Sequence, residues 1–188
     1  MRIHVRAGRL DPGRNGVQVV GALEGERRPK ALLPRSLGRD RTLSQLVAGA
    51  GFRGTLNDTA FLPQGRRWVL VVGLGKAEDL TLERARQFAG TAVRTVRARG
   101  YAACTLPVLK ERFLGSPQAV AQALIEGAWL GLYRYDRLRK VPAEESRKRI
   151  DAITLVVERP GEVAAARHGA ARAQHVAEAV SLVRYLIN

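Results

Sequence analysis

Short apolar runs separated by glycine, proline and charged residues occupy the first part of the chain. Residues 3–5 and 17–23 read as two strands, divided by a Gly/Pro/Asn-containing break over residues 8–16. Residues 55–62 alternate in part like a strand, and a turn at 63–65 leads into residues 68–75. Because this last run is almost continuously apolar and rich in valine, it predicts a central strand buried on both faces.

Four further segments have the spacing of amphipathic helices, and strands separate the last three. Thr81 and Ser116 are the predicted N-caps of two of them, and Gly100 is a predicted C-terminal stop. The predicted order after the first two strands is a helix over 42–50, strands over 55–62 and 68–75, a helix over 82–99, a strand over 102–108, a helix over 117–132, a strand over 150–158 and a helix over 162–187.

This order of elements predicts an α/β fold, a three-layer α/β/α domain. Since several early strands follow one another without a helix between them, we expect a mixed sheet rather than a fully parallel one. The 188 residues, 46% of them hydrophobic, suit a single domain over residues 1–188.

The distribution of charge adds one candidate site to this prediction. The chain has 32 Lys plus Arg against 17 Asp plus Glu, a net charge of +15, but the excess is spread evenly. Residues 133–149 hold seven basic and three acidic groups with little periodicity, which predicts a long exposed loop. Such a loop could contact a polyanion or lie between domains or subunits. The candidates for polyanion contact are Arg134, Arg137, Arg139, Lys140, Arg147, Lys148 and Arg149.

Other chemistry has weaker support in the sequence. The segment Gly73-Leu74-Gly75-Lys76 follows a strand, yet it lacks the Walker pattern and has Glu78 where a dinucleotide fingerprint needs glycine, so a structural turn is predicted. His168 and His175 are about 10 Å apart along a helix and could not share one metal ion.

Cys104 stands alone, which excludes an internal disulfide and fits a reducing compartment. In a predicted interior strand we expect it to be a small buried hydrophobe without catalytic function. The start of the chain has no signal-peptide pattern, and no apolar run approaches the roughly 20 residues of a membrane span. A soluble cytoplasmic protein is therefore expected.

Four ordered motifs give the chain a family resemblance. They are VLVVGLGK at 69–76, LTLER at 80–84, EGAWLGLYRYD at 126–136 and AVSLVRYLIN at 179–188. Together they resemble the N-terminal domain of the leucyl aminopeptidase family. Tyr185 departs from the family's pattern, which commonly has Asp there.

The resemblance implies a macro-domain-like fold and a longer cytosolic parent protein. That parent would remove N-terminal residues from peptides with two divalent metals, zinc or manganese, and assemble as a homohexamer. The metal-binding catalytic domain would follow Asn188 and be this domain's partner, so the chain itself is expected to be non-catalytic, without catalytic, cofactor or metal residues. An alternative is a nucleic-acid or nucleotide (ADP-ribose-like) binding module, since some bacterial members bind DNA.

Overall fold

A computed structural model describes residues 1–11, 16–25, 47, 49–110, 114–134 and 148–187. The strands in these residues are β1 (Arg2–Ala7), β2 (Gly16–Ala22), β3 (Thr59–Gln64), β4 (Arg67–Gly73), β5 (Ala103–Pro107) and β6 (Ala152–Val157). The helices are α1 (Leu82–Ala98), α2 (Pro117–Leu132) and α3 (Val163–Ile187), with short 3-10 turns at Ala77–Asp79 and Pro160–Glu162.

The six strands form one mixed sheet in the order β1-β6-β5-β2-β4-β3. Every neighbouring pair is parallel except β3 and β4, which form an antiparallel hairpin. The parallel steps from β4 to β5 and from β5 to β6 cross over through α1 and α2. The predicted α/β fold with a mixed sheet is confirmed.

The core lies mainly between the sheet and the three helices. Val17, Val19 and Leu70 face this side and join the larger hydrophobic cluster, to which all three helices contribute. Val20 and Val71 point to the opposite face and are also fully buried. Central strands covered on both faces explain why β2 and β4 are so continuously apolar.

A second, smaller cluster on the opposite face includes Val47. Val47 falls within the helix predicted over residues 42–50. Apart from Val47, Gly49 and Ala50, that segment lies outside the described residues.

Both predicted N-caps are present. The Thr81 hydroxyl accepts a hydrogen bond from the Arg84 N–H (3.4 Å), and the Ser116 hydroxyl accepts one from the Ala119 N–H (3.2 Å). These bonds satisfy amide groups that the first turn of a helix leaves without intrahelical partners. The sequence therefore located the starts of α1 and α2 correctly.

Strand β3 differs from the prediction at both of its ends. β3 begins at Thr59 rather than residue 55, because the preceding residues turn, with Asn57 at φ 63°. It then continues through Pro63, which was predicted to begin the turn. An edge strand tolerates proline because an N–H on its outer side has no neighbouring strand to bond. The turn itself is shifted to Gly65, at φ 59°.

Candidate functional site

The backbone N–H groups in the turn after β4 are already hydrogen-bonded within the chain. Three successive amide groups donate to carbonyl oxygens of this chain: Gly73 to Asp58 (2.8 Å), Leu74 to Ala22 (2.8 Å) and Gly75 to Gly54 (3.0 Å). A phosphate loop would need such N–H groups to point at the ligand. The geometry thus supports the predicted structural turn.

Steric constraints favour glycine at positions 73 and 75 of this turn. A Cβ at Gly73 would collide with the Thr55 carbonyl oxygen, and Gly75 has φ +76°. Side chains are therefore excluded by the close passage of the 54–58 segment and by the left-handed backbone. The glycines that resemble a nucleotide motif are explained by packing.

The isolated cysteine and the two helical histidines lie where the sequence placed them. Cys104 is buried on β5, and burial raises the pKa of its thiol to about 12. His168 and His175 are exposed on α3. No group of three or more His, Cys, Asp or Glu residues in the described part of the chain could hold a metal ion.

The EGAWLGL motif lies on α2, where it crosses α1 at close range. A Cβ on Gly127 would overlap the Arg86 carbonyl oxygen, and one on Gly131 would be 2.8 Å from the Gly90 Cα atom. A Cβ on Gly169 of α3 would likewise overlap the Gln118 carbonyl oxygen on α2. These glycines let the three helices pack backbone against backbone.

Glu126 is the buried carboxylate beside this crossing. Arg86 Nε donates to Glu126 Oε2 at 2.7 Å, and Gln122 Nε2 donates to Oε1 at 2.7 Å. Both carboxylate oxygens are thus engaged, and the ion pair joins α1 to α2. The glutamate of the motif therefore belongs to the interface between α1 and α2, where its buried carboxylate is paired.

A basic cleft of about 320 Å³ brings together three of the seven predicted polyanion contacts. Arg134, Lys148 and Arg149 line it, whereas Arg137, Arg139, Lys140 and Arg147 lie outside the described residues. Tyr133, which adjoins the predicted basic loop, lines the cleft as well. The structure adds two residues that the sequence did not single out for this site, Arg97 and Trp129.

Arg97 could not have been assigned to the cleft from the sequence, because its place on a helix does not show which element lies beside it. Its Nη1 donates to the Leu132 carbonyl oxygen at 3.1 Å, so its position depends on the contact between the ends of α1 and α2. The cleft lies where those helices end and where β1 and β6 begin. Ligands of open α/β sheets usually bind at the opposite, carboxyl edge of the strands.

The last turns of α3 carry an exposed apolar surface. The buried face of the helix ends at Ala177, and beyond it no described residue of α3 is buried. We call the following residues the α3 apolar surface: Val176, Val180, Leu182, Val183, Leu186 and Ile187. Exposed fractions of 37% to 79% distinguish these side chains from the core. None of the helices in the described part of the chain is long and apolar enough to cross a membrane.

Comparison with known proteins identifies related sequences. A family model described as the N-terminal domain of the cytosol aminopeptidase family matches residues 19–142. A probable cytosol aminopeptidase of Geobacter sp. (strain M21) is 36% identical over 178 residues, which cover 90% of this chain and 34% of that protein. One from Roseiflexus castenholzii is 33% identical and covers 100% of this chain and 37% of that protein.

Two solved structures share the fold of this chain. A mutant of tomato leucine aminopeptidase superposes with a TM-score of 0.78 at 17% identity, covering 99% of this chain and 38% of that chain. The bottromycin maturation enzyme BotP in complex with Mn has a TM-score of 0.64 at 27% identity, covering 94% and 32%. The chain therefore spans about a third of the length of the proteins it matches. Neither the related sequences nor these solved structures support the nucleic-acid or nucleotide-binding alternative.

Proposed function

The chain belongs to the cytosol aminopeptidase family, as its N-terminal domain, and from this premise we propose that it serves a longer metalloaminopeptidase as a non-catalytic assembly domain. Its partner is a C-terminal catalytic domain that removes N-terminal residues from peptides. The relatives support this arrangement, because each is named as an aminopeptidase and only about a third of its length corresponds to this chain.

The α3 apolar surface is the observation that carries the proposal. A soluble domain rarely leaves several large aliphatic side chains exposed side by side, unless they meet another surface. Burial of one Val, Leu or Ile side chain contributes about 1.5 to 3 kcal/mol, so partial burial of several would hold two domains together. The surface follows directly from the part of α3 that packs on α2, so a domain docked there would be fixed relative to the sheet.

The residues that the structure describes do not fit a two-metal site. Such a site needs several carboxylate, histidine or similar ligands within one coordination sphere. The described residues provide no such group, and the buried Glu126 is engaged by Arg86 and Gln122. We therefore assign the zinc or manganese ions to the catalytic domain and no step of peptide hydrolysis to this chain.

Hexameric assembly and a cytoplasmic location belong to the same proposal. The family resemblance supports the hexamer, and the relatives' name, cytosol aminopeptidase, supports the location.

A chimera tests the docking function of the α3 apolar surface. Residues 1–188 would replace the matching N-terminal segment of the Geobacter aminopeptidase, with hydrolysis of leucine p-nitroanilide and size-exclusion chromatography as measurements. We expect the chimera to be active and Val180→Asp/Val183→Asp to lower its activity more than about tenfold, because two charges would enter an apolar interface. The same pair should lower the free energy of unfolding of the isolated chain by no more than about 1 to 2 kcal/mol, since both side chains are largely exposed there and the two charges lie in the last turns of the helix.

Ala164→Asp/Ala171→Asp is the matched control, because both alanines are exposed on the first half of the same helix. We expect it to retain activity within about twofold. Equal behaviour of the two double variants, or a folded chimera without activity, would contradict the proposal.

A further inference from the structure

Strand β1 lies at one edge of the sheet, and alternate backbone groups along it point away from β6. The Arg2 N–H donates to the Asp151 carbonyl oxygen at 2.8 Å, which fixes the side of β1 that bonds to its neighbour. In a parallel pair every second residue makes these bonds. The N–H and C=O groups of Ile3, Val5 and Ala7 therefore face the open edge, where none of the six described strands pairs with them. Such an edge can accept a further strand.

A groove of about 390 Å³ lies beside this edge and is lined by β1 and α3. Its apolar lining consists of Ile3 and Val5 on β1 and of Ala170 and Ala171 on α3. The Ile3 and Val5 side chains pack in the larger hydrophobic cluster, so they point towards the helices. Side chains alternate between the two faces of a strand, and every second side chain of an added strand would enter the groove. The groove thus favours apolar side chains at those positions.

The other face of β1 is basic. By the same alternation, Arg2, His4 and Arg6 lie on the face opposite to α3. The Arg2 and His4 side chains are exposed and have no hydrogen bond or ion pair with the described part of the chain. Arg6 donates to the Asp11 carbonyl oxygen at 2.8 Å, an uncharged acceptor, while the Asp11 carboxylate is paired with Arg67. This face therefore presents positive charge along the whole strand.

Helix α3 adds a further cation to the surroundings of the groove. Arg167 lines the groove, is exposed, and has no ion pair among the residues that the structure describes. The carboxylate of Glu178, the single acidic residue of α3, accepts a hydrogen bond from Gln174. Asp151, which precedes β6, is paired with Arg149 at 2.9 Å. The groove adjoins residues 167–174 of α3, far from the negative C-terminal end of that helix, so positive charge prevails around the edge.

From this combination we propose that β1 binds an extended acidic peptide segment of a partner protein as an additional strand. Carboxylates at alternate positions of the peptide lie opposite Arg2, His4 and Arg6, and the apolar side chains between them enter the groove beside α3. A second copy of this chain is a poorer occupant, because two β1 strands paired with each other would bring arginines of like charge together. The site is separate from the α3 apolar surface and does not depend on the docking function proposed for it.

The probe is a fluorescently labelled peptide of about eight residues that alternates glutamate and valine, a typical strand length. We expect its fluorescence anisotropy to rise saturably with the concentration of the 188-residue chain at about 50 mM salt, where charges are weakly screened. A peptide of the same composition with its glutamates in one block should bind at least about fivefold more weakly, because its carboxylates cannot share one face. No saturable binding of the alternating peptide, or equal binding of the two peptides, would overturn the proposal.

Hydrogen exchange shows whether the bound peptide forms a strand. In the saturated complex the amides of Ile3 and Val5 should exchange at least about tenfold more slowly, because they donate to the added strand. Unchanged exchange at both amides despite saturable binding would reveal a contact through charge alone and overturn the proposal.

Arg2→Gln/Arg167→Gln tests the charges on the two sides of the edge. We expect the dissociation constant for the alternating peptide to rise at least about fivefold, since two charge-assisted contacts are lost. Arg66→Gln/Lys76→Gln is the matched control, because it removes two exposed positive charges near β4, away from β1, and should change the constant less than about twofold. Equal losses in both pairs would show a general charge effect and overturn the site. Displacement of the peptide by a short DNA duplex that binds more tightly would overturn it in favour of a polyanion surface.

Discussion

Gly127→Ala is expected to destabilise the protein by about 3 kcal/mol, although alanine is the better helix former. The added Cβ would overlap the Arg86 carbonyl oxygen, which belongs to the backbone of α1 and cannot rotate away. Helix propensity alone would favour alanine by up to about 1 kcal/mol, so a net loss of this size requires the helices to be forced apart. Urea unfolding followed by circular dichroism measures the difference.

Gly161→Ala is the control for this prediction. A Cβ at Gly161 would meet nothing within 4 Å, and the backbone there is not left-handed. The free energy of unfolding should stay within about 0.5 kcal/mol of the unmodified chain. If Gly127→Ala were as stable as Gly161→Ala, the close crossing of α1 and α2 would be refuted.

Arg86→Met is the second substitution with a large expected effect. It would leave the Glu126 carboxylate buried with only Gln122 as a partner. Removal of one member of a buried pair costs about 3 to 5 kcal/mol, but Arg86 is itself 35% exposed, so we expect about 2 kcal/mol.

A double-mutant cycle separates the ion pair from other effects of losing Arg86. Glu126→Gln removes the buried charge while keeping a polar side chain, and adding it to Arg86→Met should restore about 1 kcal/mol. Arg84→Met on the same helix is the matched control and should cost less than about 0.5 kcal/mol, because Arg84 makes one long hydrogen bond, at 3.5 Å to Gln87. A double variant less stable than Arg86→Met would contradict the predicted coupling.

The sequence predicted those parts of the fold that depend on local pattern. The valine-rich run of β4 indicated a strand buried on both faces, and Thr81 and Ser116 indicated helix starts, as the structure confirms. The predicted start of β3 was wrong because the alternation over residues 55–62 did not reveal the turn at Asn57. That turn is stabilised by contacts with Gly73, which is distant in sequence.

The candidate sites depended more strongly on tertiary packing. Arg134, Lys148 and Arg149 were singled out for their charge, but Arg97 and Trp129 join them only because α1 and α2 end side by side. The EGA motif supported the family resemblance without indicating a physical role. Its role became clear when Gly127 and Glu126 were found at the crossing with α1. A linear motif does not show which helix lies opposite.

Hydrolysis of leucine p-nitroanilide by the 188-residue chain, with and without added manganese or zinc, tests the central claim most directly. The full-length Geobacter relative serves as the positive control for the assay. If this chain is the non-catalytic N-terminal domain, its rate will equal that of the buffer blank with either metal. Turnover that requires the metal, is abolished by a chelator and copurifies with the chain would contradict that assignment.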